Sequence, residues 1–331
     1  MQQRQIGPFT VSAIGLGCMN MSMGYGPRPD AAESGRLLNA ALDHGYTFLD
    51  TAAMYGNGHN ESLIGKYLSH RRDEYLLASK CGIARGADGK TEINGDPGVL
   101  QQTCELSLQQ LNTDVIDLYY LHRIDPKVPV EDSVGALAQM VEQGKVKTIG
   151  LSEINSASLR RAHAVHPITA VQSEYSLWSR TPERQMLATC AELDIAFVPF
   201  SPLARQFLTG RCGDVNTVLE DDIRASIARP RFEAENFARN QKLLTPFAEI
   251  AARNNCSMAQ LALAWLLAQG DNIIPIPGTK HYDWMIENAG AGEMSLDAAT
   301  VTELDQLINE DTVAGRRYTD ALMASTDSEK D

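Results

Sequence analysis

A chain of 331 residues, 44% of them hydrophobic, can bury a sizeable core, and although longer than the usual single domain it suits one large α/β unit. Its formal charge of −13 disfavours nucleic acid and anionic membranes as partners, because both demand a basic surface. Net charge does not argue against an anionic small cofactor, which needs only a local basic pocket.

The six cysteines, Cys18, Cys81, Cys104, Cys190, Cys212 and Cys256, are scattered and form no Cys-x-x-Cys pair. They read as free thiols of a reducing compartment. The first residues, Met1 to Gly7, lack the apolar core of a signal peptide, and the most apolar helix candidate, residues 258–269, is too short to cross a bilayer. A soluble, cytoplasmic protein is expected.

Short β-like runs alternate with amphipathic helical stretches along most of the chain. A capping hairpin, Gln5-Ile6 against Thr10-Val11, is followed by a first strand at 13–17 and a helix at about 30–44. The second strand ends at Asp50, with a helix near 61–69. The third ends at Lys80, and its helix runs from about 97 to 110, proline at 97 suiting the first helical turn. A fourth strand at 115–121 precedes a helix at 130–143. Strands five to seven are expected at 148–151, 170–172 and 196–200. The eighth is expected at 273–275, with its helix at 282–291.

Eight such units without a break in composition predict an α/β fold of one domain over residues 1–331. The expected architecture is a (β/α)8 TIM barrel with an N-terminal capping hairpin, a long loop after strand seven and a C-terminal tail. The rival is a doubly wound sheet. The long loop, residues 203–238, carries Arg205, Arg211, Arg224, Arg229 and Arg231, and its length points to function or disorder. The tail, 311–331, is polar, and its last eight residues are expected to fray.

Four residues stand at predicted strand ends or just beyond: Asp50, Tyr55, Lys80 and His122. A phenol with an ordinary pKa of about 10 is a poor acid at neutral pH. An ammonium nearby favours the phenolate, and a carboxylate fixes the ammonium. A histidine can donate to a substrate carbonyl and polarise it. As a set they form a device for delivering a proton.

Other chemistries fit less well. Gly15-x-Gly17-x-x-Asn20 resembles a damaged dinucleotide fingerprint, but the following Met21-Ser22-Met23-Gly24-Tyr25-Gly26-Pro27 cannot open the helix that motif needs, so these residues read as a barrel-mouth loop. Asp50, His59, Glu61 and His122 make a metal-ligand list without ligand spacing, and Lys80 would repel the cation, so no metal is expected. No Gly-x-Ser-x-Gly elbow supports a hydrolase.

The runs Gly45-Tyr46-Thr47-Phe48-Leu49-Asp50-Thr51-Ala52 with Tyr55-Gly56, Leu77-Ala78-Ser79-Lys80, and Asp117-Leu118-Tyr119-Tyr120-Leu121-His122 closely resemble the aldo-keto reductase superfamily. The resemblance continues through Ile149-Gly150-Leu151-Ser152, Phe200-Ser201-Pro202-Leu203-Ala204-Arg205, Pro277-Gly278-Thr279 and Glu287-Asn288. It is nearest to a bacterial branch with Leu-Ser-Glu, here Leu151-Ser152-Glu153, and Gln-x-Glu-Tyr-Ser-Leu-Trp-Ser-Arg, here from Gln172 to Arg180.

The resemblance implies reduction of an aldehyde or ketone by NADPH, with NADH as a second possibility. Tyr55 would be the general acid, Lys80 paired with Asp50 would lower its pKa, and His122 would orient the carbonyl. Ser152 and Gln172 would bind the nicotinamide carboxamide, and Phe200 would stack on the ring. Ser201, Pro202, Leu203 and Arg205 would hold the pyrophosphate under the long loop, with Gly17 and Met19 nearby. Gly278, Thr279 and Lys280 would meet phosphate, and Glu287 and Asn288 the adenine. Tyr25, Arg123, Trp178 and Tyr318 are candidates for the substrate pocket. Three positions depart from the family pattern: Glu153 for a common asparagine, Gln206 for a glycine, and Trp284 where many relatives carry the arginine that grips the 2′-phosphate. The oligomeric state, monomer or homo-oligomer, stays open. A second class, a cofactor-sensing auxiliary subunit with little turnover, keeps the same fold and can keep the same four residues.

Overall fold

The computed structural model describes residues 1–85, 91–213 and 222–331. The chain starts with an antiparallel hairpin, β1 (Gln3–Ile6) and β2 (Phe9–Ser12). The strands that follow are β3 (Leu16–Gly17), β4 (Phe48–Asp50) and β5 (Leu76–Cys81). A small antiparallel pair comes next, β6 (Ile83–Arg85) and β7 (Thr91–Ile93). The last four are β8 (Ile116–Leu121), β9 (Val146–Ser152), β10 (Ile168–Glu174) and β11 (Ala196–Phe200). Apart from the two antiparallel pairs, these strands form one parallel sheet in sequence order, β3-β4-β5-β8-β9-β10-β11. That order is the signature of a barrel and sets aside the doubly wound rival, whose sheet changes direction part-way.

The sheet closes through residues 272–278. Phe197 donates to Asn272 O (2.7 Å), Ile274 to Phe197 O (2.9 Å) and Ile276 to Pro199 O (3.1 Å); on the other edge Gly15 donates to Pro275 O (3.0 Å) and Gly17 to Pro277 O (3.3 Å). The eighth strand expected at 273–275 therefore bonds both neighbours without forming a regular ladder. Pro275 and Pro277 have no N–H to give, so only part of the ladder can form.

Helices cover the outside: α1 (Ala31–Asp43), α2 (His59–Leu68), α3 (Pro97–Leu111), α4 (Val130–Glu142), α5 (Ser156–Val165) and α6 (Met186–Glu192). The insertion after β11 holds α7 (Arg229–Phe232) and α8 (Ala234–Gln241), with residues 214–221 of it outside the described set. Then come α9 (Leu244–Arg253), α10 (Met258–Ala268), α11 (Tyr282–Gly290), α12 (Ala298–Leu307) and α13 (Asp320–Ser325). Helix starts follow local chemistry. Asp30 and Glu33 form a reciprocal capping box, as do Ser257 and Gln260, and Asp96 caps α3 just before Pro97. Among the described residues, no helix is long and apolar enough to cross a membrane.

Strand periodicity sets the site. Phe48, Leu76, Ala78, Leu118, Tyr120, Ala170, Ala196 and Val198 fill the barrel interior, with Ile6 and Val11 of the hairpin joining the same cluster. Their neighbours Leu49, Leu77, Tyr119 and Leu121 pack outward against the helices. Side chains alternate with a period of two, so the next inward positions on β4, β5, β10 and β11 are Asp50, Lys80, Gln172 and Phe200, and one residue past β8 comes His122. Gly150 on β9 has to be glycine, because a Cβ there would lie 2.4 Å from the Tyr120 ring.

The C-terminal tail departs from expectation. Its last residues dock on the barrel: Asp327 and Ser328 are buried, Asp327 Oδ2 accepts from Asn155 N (3.0 Å), and Asp331 Oδ1 accepts from Ser156 N (2.8 Å). Two carboxylates thus meet the free N–H groups at the start of α5, where the helix dipole favours negative charge. Polar composition hid this docking, since its partners lie far away in sequence.

Candidate active site

At the strand ends, Lys80 Nζ donates to Asp50 Oδ1 (2.5 Å), to Thr51 O (2.8 Å) and to Tyr55 Oη (3.3 Å). Gln172 Nε2 donates to the other Asp50 oxygen (2.8 Å). The His122 ring stands edge-on to Tyr55 at 5.9 Å between centroids. All four residues of the set are buried, Tyr55 being the most open at 9%. The β4–α2 loop that carries Tyr55 is held by Asn60, which accepts from Thr51 Oγ1 and donates to Cys18 O and Ser22 Oγ.

Burial and charge together set the protonation states. Burial raises the Asp50 carboxyl, with Lys80 and Gln172 working against it. Burial would lower the Lys80 ammonium, but Asp50 and Tyr55 outweigh it and raise its pKa, so the lysine stays charged. Burial also raises the Tyr55 phenol, and Lys80 only partly offsets it. Lys80 lowers the tyrosine as expected, but desolvation outweighs it, and the resting phenol keeps its proton. His122 is pushed well down, first by burial and then by the charges of Arg123 and Lys80. Its imidazole is neutral, and its Nδ1 is buried without a partner among the described residues. The pocket therefore presents a protonated phenol beside a neutral imidazole.

A second region, a cleft, lies across the mouth. Leu203, Gly278, Thr279, Lys280, Trp284, Glu287 and Asn288 come together there. Lys280 Nζ donates to Tyr25 O (2.9 Å) and Pro27 O (2.6 Å), tying the loop after β3 to the segment before α11. Gly17 approaches the same segment so closely that a Cβ would lie 2.7 Å from Ile276 O, and Met19 starts the short turn that follows. Ser201 and the run Ala204, Arg205 and Gln206 have positive φ, with Pro202 buried between them.

Several expected residues are placed differently. Tyr25, expected at the substrate pocket, lines this second cleft under the Arg224 guanidinium. Trp178 is buried, stacked on Phe207 at 4.3 Å and edge-on to Phe232, so it anchors the insertion instead of forming an open aromatic wall. Tyr318 is buried between the guanidinium groups of Arg205 and Arg317. Arg205, expected at the pyrophosphate, donates to Glu174 Oε2 (2.7 Å) and Arg317 O (2.9 Å). Arg123 donates to His122 O (2.7 Å) and Ser152 Oγ (3.2 Å). Sequence reasoning missed Asn20, Thr209 and Arg211 in the second cleft; Arg211 forms a bidentate pair with Glu287 and lies over the Trp284 ring. The only prior signal for Arg211 was its place among the arginines of the long loop.

Glu153 shows why that departure is tolerated. Its fully buried carboxylate pairs with Arg317 (2.6 Å) and accepts from Ser328 Oγ (2.8 Å) and Glu174 N (2.9 Å). Burial alone would raise its pKa, but Arg317 and then Arg123 hold it at about 2.

The model of the Aldo/keto reductase family matches residues 13–309. The chain belongs to that family. It is similar to "Aldo-keto reductase yakc [NADP(+)]" of Schizosaccharomyces pombe, 43% identical over 321 residues and covering 95% of this chain and 94% of that protein. It is also similar to "Probable aldo-keto reductase 1" of Glycine max, 40% identical over 330 residues, covering 97% and 94%. Among solved structures, the glycerol dehydrogenase AKR11B4 of Gluconobacter oxydans aligns with a TM-score of 0.85 at 25% identity, covering 92% of this chain and 94% of that one. An aldo/keto reductase of Klebsiella pneumoniae in complex with NADP and acetate aligns with a TM-score of 0.73 at 25% identity, covering 94% and 95%. This aldo-keto reductase is thus an oxidoreductase dependent on a nicotinamide cofactor.

The buried pair at the tail gives a stability prediction. Arg317→Met should cost about 3–5 kcal/mol, the usual cost of leaving one buried charge uncompensated, read from urea unfolding at neutral pH. Adding Glu153→Gln should recover much of that loss. Because the folded-state pKa of Glu153 is depressed, its contribution is complete above its ordinary value of 4.5 and fades as pH falls towards about 2. A single variant as stable as the wild type would contradict the network.

Proposed function

We propose that this chain reduces an aldehyde or ketone to the alcohol with NADPH, Tyr55 delivering the proton to the carbonyl oxygen. The observation that carries the reading is the position of Lys80 Nζ, bonded to Asp50 on one side and Tyr55 Oη on the other. Bound nicotinamide would supply the hydride. As negative charge develops on the carbonyl oxygen, Tyr55 gives up its proton to it. The Lys80 ammonium, fixed by Asp50 and Thr51 O, then stabilises the phenolate left behind. Neutral His122 would orient the same oxygen through a ring N–H, which needs one protonated nitrogen and no net charge.

The cofactor fits the donors present. The cleft holds Lys280 and Arg211 near Trp284, with Leu203 and Gln206 at its edge. Arg211 brings a guanidinium to the end where Trp284 stands in place of the family arginine. Glu287 and Asn288 would meet the adenine, Thr279 and Lys280 the 2′-phosphate, and Phe200 the nicotinamide face. Two relatives support the choice of NADPH: one is named for NADP(+), and one was solved with NADP and acetate. Turnover of NADPH with a panel of aldehydes and ketones tests the reading. Tight NADPH binding without turnover of any carbonyl would favour a cofactor sensor instead.

Tyr55→Phe should lower turnover by at least about a hundredfold, the lower range for loss of a general acid, while NADPH affinity stays within a few-fold. Near-normal turnover in the folded variant would remove tyrosine from the mechanism. For cofactor choice, Lys280→Ala should weaken NADPH about ten- to a hundredfold, the loss of one charge-assisted hydrogen bond, and NADH far less. Dissociation constants from calorimetry read this directly, and equal losses for the two cofactors would show that Lys280 is not the discriminator.

A further inference from the structure

Around the expected nicotinamide carboxamide site, Gln172 is partly engaged and Glu153 is committed elsewhere. The Gln172 amide donates to Asp50 Oδ2 (2.8 Å). Glu153, where many relatives have asparagine, is committed to Arg317 and Ser328, and an ionised carboxylate has no proton to donate. Ser152 offers a single hydroxyl and Gln172 one remaining N–H and its carbonyl oxygen, while a primary carboxamide presents an acceptor oxygen as well as two N–H donors.

The structure puts another donor beside Ser152. Arg123 Nη1 bonds Ser152 Oγ at 3.2 Å and is steadied by the His122 carbonyl at 2.7 Å. Its guanidinium carbon lies 5.9 Å from the centre of the Phe200 ring. Among the described residues, the side chain's hydrogen bonds run only to these two acceptors and to no carboxylate. A guanidinium carries five N–H groups in a rigid fork, so donors remain free next to Ser152 and Phe200.

We propose that Arg123 positions the cofactor by donating to the carboxamide oxygen, the role that an amide at position 153 could fill and Glu153 cannot. The exchange has a structural logic. With the carboxamide served from the residue after His122, position 153 is free to carry the charge that holds the C-terminal tail. The proposal rests on the NADPH reading.

The test compares NADPH with 2′-phospho-ADP-ribose, the same nucleotide without its nicotinamide, by calorimetry on the wild type, Arg123→Met and Arg123→Lys. Arg123→Met should weaken NADPH about tenfold to a hundredfold, the value of a charge-assisted hydrogen bond, and leave the shorter ligand within about twofold. Arg123→Lys should regain part of the loss. Equal losses for both ligands, or no loss of NADPH affinity, would overturn the proposal. Unchanged NADPH affinity with a raised KM confined to carboxylate-bearing carbonyls would also overturn it, assigning Arg123 to the substrate. Failure of the wild type to bind NADPH would instead strike the cofactor reading itself.

Discussion

Everything at the barrel mouth depends on one buried ion pair, Lys80 with Asp50. Neither charge would survive alone in that setting, since isolated ions in a low-dielectric interior shift their pKa and neutralise. Each has further partners: Thr51 O for the ammonium and Gln172 for the carboxylate. The pair places a fixed positive charge 3.3 Å from the Tyr55 hydroxyl. Burial makes the phenol hold its proton at rest, and in the proposed reaction the ammonium would make loss of that proton tolerable once a carbonyl oxygen becomes basic. Two opposed effects on one group would thus divide the work between resting and reacting states.

Around this pair the molecule keeps a second layer of buried charge. Glu153, Glu174, Arg205 and Arg317 link β9, β10, the start of the insertion and the tail into one network. Such networks are weak evidence for stability, but removing one member is costly. Here the consequence is positional. Glu153 directly follows Ser152, and Arg205 lies in the positive-φ run beside the second cleft, so docking of the tail fixes backbone on two sides of the mouth.

Much of the fold was legible because it rests on local rules. Short β-like runs marked β4, β5, β8 and β11, and Pro97 marked the first turn of a helix. The placement of Asp50, Lys80 and His122 at the inward ends of neighbouring strands follows from the strand period of two. The eighth strand was harder, since Pro275 and Pro277 interrupt its ladder. What the sequence concealed is long-range pairing. Arg317 and Glu153 lie 164 residues apart, and nothing local announces that a polar tail will return to the barrel. Arg205 and Trp178 were misplaced for the same reason: the family motif gives their position in the chain, whereas Glu174, Phe207 and Phe232 decide where their side chains go.

The most direct measurement of the central claim is single-turnover hydride transfer, followed by NADPH absorbance, in an Asp50→Asn, Lys80→Met double variant. Removing both charges together leaves no orphan ion to unfold the barrel. The account predicts a transfer rate at least about a hundredfold below wild type, the scale of lost general-acid assistance, with NADPH affinity changed only a few-fold. A folded double variant that transfers hydride at the wild-type rate would contradict it, because proton delivery by Tyr55 would then owe nothing to the buried pair.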